Sequence, residues 1–160
     1  MSPPVSGGSS PDSSADAEAV RALIGREPHA GFRVSVRCPF GAPAVIENAP
    51  RDAEGHPFPT REWLTCRALA TAVSRLEADG GVRMLEQDPD LAQALAGAHA
   101  RHQAVHEGHR VAGAGDPDHV KCLHAQLAFA LSEGGNPVGD WIIARSGAGW
   151  PATCCVERTA

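Results

Sequence analysis

Tyrosine is absent from this chain, and aromatic residues make up only 4% of it. A surface that stacks single-stranded bases on aromatic rings is therefore not expected. Basic residues are in the minority: Lys and Arg number 14 against 19 Asp and Glu, for a formal net charge of −5. That balance argues against a broad phosphate-binding face, so no nucleic-acid partner is expected. No apolar run approaches about 18 residues, so no membrane-spanning helix is expected. The first twenty residues hold neither Lys nor Arg and no apolar stretch. A secretory signal is accordingly not expected, and the compartment assigned is the cytoplasm. Thiols stay reduced there. No Cys-x-x-Cys pair occurs among the five cysteines, which are read as free thiols or metal ligands rather than disulfides.

What the sequence does contain is alanine, 28 of 160 residues, and 35 bulky apolar residues, enough for one modest core. Residues 1–14 hold six Ser, three Pro and two Gly; this composition predicts a disordered N-terminal tail, assigned to 1–15. Ala19, Val20, Leu23 and Ile24 predict a short amphipathic helix over 16–26. Phe32, Val34 and Val36 alternate with polar residues, a strand of period two. Cys38-Pro39-Phe40-Gly41 reads as a turn and 44–47 as a returning strand, with loop chemistry over 48–60. Leu69, Ala72, Val73 and Leu76 predict a helix over 67–79, capped by Thr65 and stopped by Gly80-Gly81. A second helix is expected from Asp88-Pro89, with Leu91, Leu95, Ala98, His102 and Val105 on its stripe. A third begins near Asp118, carries Val120, Leu123, Leu127 and Leu131, and stops at Gly134-Gly135. The remainder is Gly-rich and poorly periodic, and 146–160 is assigned to a loose C-terminal tail. The expected architecture is a single α+β domain over 16–145, with a small two-stranded β element packed against about three main helices.

Cys38, Cys66 and Cys122 fall at element boundaries, and His124 follows Cys122 by two. Thiolates and imidazoles are the usual zinc set, and thiolates also hold iron–sulfur clusters. Helix N-termini lower thiol pKa, so the same placement suits a reactive thiol. Within a regular helix Cys122 and His124 would point about 200° apart. They can share a metal only if Cys122 lies in an irregular first turn. The plainer alternative is that these are small buried cysteines and that His124 is a core histidine bonded to a carbonyl. His99, His102, His106 and His109 follow a 3, 4, 3 spacing along one helical stripe. With no acidic ligand pattern beside them, they are read as an exposed polar stripe that binds metals only adventitiously. Gly113-Ala114-Gly115 with Lys121 suggests an anion site at a helix start, though a loop and cap explain it as well.

Six ordered blocks resemble one family: Arg37-Cys38-Pro39-Phe40-Gly41, Pro57-Phe58-Pro59-Thr60, Trp63-Leu64-Thr65-Cys66, Ser74-Arg75-Leu76-Glu77, Val120-Lys121-Cys122-Leu123-His124-Ala125 and Asn136-Pro137-Val138-Gly139. They resemble the domain of unknown function 501 family of bacteria, over about residues 18–140. That family is best known from actinobacteria, and its genes often sit beside those for a septum formation initiator, enolase and an exopolyphosphatase-like protein. The resemblance implies a joint site of Cys38, Cys66, Cys122 and His124, with His99 as a lesser candidate. Cys154 and Cys155 lie outside the blocks. Arg67 stands where Pro is expected, and His102 where an aromatic is common. The expected function is a small binding or regulatory module with structural zinc (an iron–sulfur cluster is the less favoured cofactor). It would act through a protein partner in processes linked to cell division or the envelope. The alternatives are an enzyme using Cys122, Cys66 or His124, and a thiol redox sensor.

Overall fold

The structure is a computed structural model that describes residues 14–156. The expected N-terminal tail therefore lies outside the described residues, except for the start of the first helix. Among the described residues there are six α-helices and three strands. Helix α1 (Ser14–Ile24) leads into strands β1 (Phe32–Arg37), β2 (Pro43–Asn48) and β3 (Glu62–Leu64). They form one antiparallel sheet in the order β1-β2-β3. Helices α2 (Arg67–Ala78), α3 (Gly81–Gln87), α4 (Ala92–Val105), α5 (Leu123–Glu133) and α6 (Pro137–Ser146) follow, with a 3-10 turn at Val111–Gly113. No helix of the described residues is long and apolar enough to cross a membrane.

The fold is α+β as expected, but the sheet has three strands rather than two. The third spans three residues, too short to show a period. It exists because Leu64, Trp63 and Glu62 pair with Val45, Ile46 and Glu47 of β2. The central strand β2 is buried along almost its whole length.

Strand β1 is not a simple alternating ribbon. Val34 pairs with Ile46 and Val36 with Val45, so Ser35 is an extra residue in the ladder. A bulge of this kind turns the following side chains to the opposite face. Val34 and Ile46 accordingly pack with Val20 of α1, joined by Ile24, Phe32 and Trp63. Val36, Val45 and Leu64 face the main core with Leu69, Val73, Leu127 and Ile142.

Helix boundaries depart from expectation for local reasons. Cys66, not Thr65, is the N-cap of α2, and the Thr65 hydroxyl donates instead to the carbonyl of Pro43. Gly80 ends α2 but does not end helical structure: at φ 88° it reverses the chain and is the N-cap of α3. Gly81 is then pressed against Leu76 and Leu123, where a Cβ would not fit. Asp88 does not start the next helix but is the C-cap of α3, and α4 begins after Leu91. α5 starts at Leu123 rather than near Asp118.

Helix α6 was not expected. Its signal is an Asn136-Pro137 start, in which the Asn136 side chain accepts from the N–H groups of Val138 and Gly139. α5 is enclosed by the other elements and buries seven of its eleven residues, which is why its apolar residues do not form a single stripe. Beyond α6, Trp150, Cys154 and Cys155 pack against the core.

Candidate functional site

The N-terminus of α5 meets the C-terminal half of α2. Cys122 is the N-cap of α5 with φ −159° and ψ 154°, so it stands outside the regular helix. Its Sγ accepts from the N–H of Ala125 at 3.4 Å. The irregular first turn removes the divergence that a regular helix would impose on Cys122 and His124. Across from them stands Glu77 of α2. Its Oε1 lies 2.7 Å from His124 Nδ1, and its Oε2 accepts from the N–H of Leu123 at 2.9 Å. The carboxylate thus occupies the positive end of α5. Ligand atoms of Glu77, Cys122 and His124 lie within 4.8 Å of one another, and all three residues are half-buried.

The far side of the His124 ring fixes its chemistry. Nε2 lies 3.2 Å from the carbonyl of Ala70 and 3.1 Å from Ser74 Oγ. A carbonyl only accepts, so the bond to Ala70 requires the proton on Nε2. In the neutral ring Nδ1 then directs a lone pair at Glu77, also an acceptor. A second ring proton donated from Nδ1 to Glu77, or a cation held by both groups, makes the contact favourable. Burial pushes the Cys122 thiol up, and the Glu77 charge pushes in the same direction. The thiol is therefore not an activated nucleophile.

Cys38 and Cys66 do not join this group. With Cys155 they line an apolar cavity of about 10 Å³ between Leu23, Ala42, Pro43 and Pro151. That space is at the lower limit for a single water. Burial pushes the Cys66 thiol up to about 11, with Cys155 beside it adding to the shift. His99 is buried in the core, with Nε2 donating to the carbonyl of His119 at 2.8 Å and Nδ1 accepting from the N–H of Val111 at 3.2 Å. Both ring nitrogens are engaged, and burial lowers its pKa, so the neutral form is held.

The histidine stripe of α4 is not exposed. His99, His102 and His106 are all buried, and only His109 faces outward. The inward face of α4 is set by Leu95, Ala98, His99 and His102, while Val105 is exposed. The acidic partner that the stripe lacks in sequence comes from β3. Glu62 Oε2 lies 3.1 Å from His102 Nε2, and Oε1 lies 2.5 Å from His106 Nε2. Burial pushes the Glu62 carboxyl up, but the bonds and charges of the two imidazoles outweigh it and hold the carboxyl below its ordinary range. A third acidic group, Asp52, Glu54 and His56, sits on an exposed loop. There the Asp52 side chain accepts from the N–H groups of Glu54 and His56, which accounts for it as turn structure.

Glu77 and Glu62 were not singled out in the sequence. Glu77 lies in one of the family-like blocks, which is a signal; Glu62 lies in a strand with no period to reveal it. The anion site suggested for Gly113-Ala114-Gly115 has no α-helix start beside it, because α5 begins at Leu123, whose N–H already meets Glu77.

Fold and site together define a small α+β domain in which His102, His106 and His124 meet carboxylates from neighbouring elements. A family model described as "Protein of unknown function (DUF501)" matches residues 34–110 and 103–144. The chain belongs to that family. No curated protein and no solved structure matches it.

Proposed function

We propose that this protein is a small cytoplasmic metal-binding module, in which Glu77, Cys122 and His124 hold a zinc ion that locks α2 to α5. The observation that carries this reading is the meeting of ligand atoms of Glu77, Cys122 and His124 within 4.8 Å, with His124 Nε2 placed to donate to the Ala70 carbonyl. A ligating histidine characteristically donates its second N–H to a carbonyl. Thiolate, imidazole and carboxylate are all ordinary zinc ligands, and three of them leave a fourth position for water or a partner's side chain. A protein partner that completes the site, in a process linked to cell division or the envelope, is the setting this reading adopts.

The test is metal analysis of untagged protein purified anaerobically without chelator. Zinc should be present, and it should be lost from this site in both Cys122→Ser and Glu77→Gln. Zinc content unchanged by both substitutions would sink the reading, as would a zinc-free wild type that takes up none on titration.

One observation favours a second reading. Ser74 Oγ, His124 and Glu77 stand in the order hydroxyl, imidazole, carboxylate, with spacings of 3.1 and 2.7 Å. That is the order used to activate a serine nucleophile. It requires the opposite tautomer, with Nε2 accepting from Ser74. A fluorophosphonate probe should then label Ser74, and no labelling of metal-free protein would remove this reading. Ser74→Ala should leave zinc content intact if the metal reading holds.

A further inference from the structure

We infer that Glu62, His102 and His106 form a second, closed site for a divalent metal of the zinc class, pinning β3 to α4. This site is independent of the Cys122 centre, shares no ligand with it and contains no sulfur.

The ligand set is built by two elements. His102 and His106 sit one helical turn apart, the spacing at which two imidazoles can chelate one ion. Their ring centroids are 4.5 Å apart at a tilt of 56°, and both Nε2 atoms converge on one carboxylate. Each oxygen of Glu62 faces a different ring. Two nitrogens and two carboxylate oxygens make four donors, the number a structural zinc site takes.

The hydrogen bonds around the ligands leave a place for a cation. His102 Nδ1 lies 2.6 Å from the carbonyl of His109, which can only accept, so the proton resides on Nδ1. In the neutral ring Nε2 then points a lone pair at Glu62 Oε2, 3.1 Å away. At 1% and 5% side-chain exposure this contact needs a positive charge, which a second ring proton or a bound metal ion supplies. The nearest fixed cation does not supply it. Arg61 spends its guanidinium on Glu107, Glu47 and the carbonyl of Asn48. His106 Nδ1, on the far side of the ring from Glu62, is buried without a partner.

Donor type and burial select the metal. Imidazole and carboxylate suit zinc and its neighbours rather than the thiophilic ions. The same donors with open positions would suit a catalytic iron site. Here all three ligands are more than nine-tenths buried, and Phe129 stands edge-on to His102 at 5.0 Å. The site is closed, and its role is structural.

Cadmium-113 NMR of the full-length wild-type protein, loaded with cadmium alone, tests this without any risk from misfolded variants. A resonance in the range of nitrogen and oxygen donors is expected, separate from any thiolate-shifted resonance of the Cys122 centre. Glu62→Gln should abolish the first resonance and leave the second. Cobalt titration of Cys122→Ala should give d–d absorption without a sulfur charge-transfer band, and His106→Gln should weaken that binding more than about tenfold. The inference is overturned if wild type shows no nitrogen/oxygen resonance. It is equally overturned if that resonance survives Glu62→Gln, which would assign it to surface histidines. Failure of the thiolate-shifted resonance alone would remove the Cys122 reading and leave this one standing.

Discussion

At the scale of single residues, Cys122 and Cys66 separate cleanly, although both are helix N-caps. Cys122 has an imidazole and a carboxylate within ligand range; Cys66 has a second thiol and apolar walls. As a ligand, Cys122 should tolerate neither Ser nor Ala: both should lose the metal of that centre and the stability it contributes, since binding energy at a structural site is folding energy. Were Cys122 only packing, Ala would cost at most about 1–2 kcal/mol and Ser more, because a hydroxyl needs a partner. Melting curves of the two variants, each with its zinc content, distinguish an equal pair from an ordered one. Cys66 makes a prediction in pH. Its thiol is raised from the ordinary 9.0 to about 11, so the folded state holds a proton that the unfolded chain releases first. Its contribution to stability should be intact below pH 9 and be lost as pH climbs from 9 toward 11. Cys66→Ala should therefore lose less stability than wild type over that interval, measured by denaturant titration at fixed pH values.

At the scale of elements, α6 shows how a short helix can be specified by its ends and its neighbour. Asn136 satisfies two of its unpaired N–H groups, and Asn136→Ala should cost about 1 kcal/mol. Gly139 allows the backbone of α6 to approach α5: a Cβ there would come within 2.3 Å of Ala130 Cβ. Gly139→Ala should cost about 1–3 kcal/mol through overpacking, and Ala130→Gly in the same chain should recover part of it. A denaturation midpoint for each single variant and the double variant measures both the cost and the coupling. Sequence pattern served the elements unevenly. α2 was legible because Leu69, Val73 and Leu76 face one core. α6 was not, because its two-sided contacts leave no clean stripe. The bulge at Ser35 was also hidden, since Phe32, Val34 and Val36 look like one face until pairing with β2 puts Val36 on the other.

At the scale of the whole molecule, the sheet divides two unequal cores. The larger lies between sheet and helices; the smaller lies beneath α1 and rests on Val20, Val34 and Ile46. Two arginines tie α1 down. Arg37 of β1 grips Asp16 through paired bonds of 2.8 and 2.9 Å, and Arg67 donates to the carbonyls of Ala22 and Leu23. Val20→Ala should cost about 2 kcal/mol and loosen α1 first. Hydrogen exchange should then rise in α1 and near Trp63 while the large core stays protected. The sequence by itself determined the α+β class, the family and the positions of β1, β2 and α2. It did so because periods of two and 3.6 residues report how a side chain faces its own element. The tertiary structure alone decided which elements meet. It placed Glu77 beside Cys122 and His124, drew Cys38 and Cys66 toward Cys155, and paired His102 and His106 with a glutamate 40 and 44 positions away. No local period encodes such a meeting, because it depends on how helices pack across a sheet and not on how either turns about its own axis.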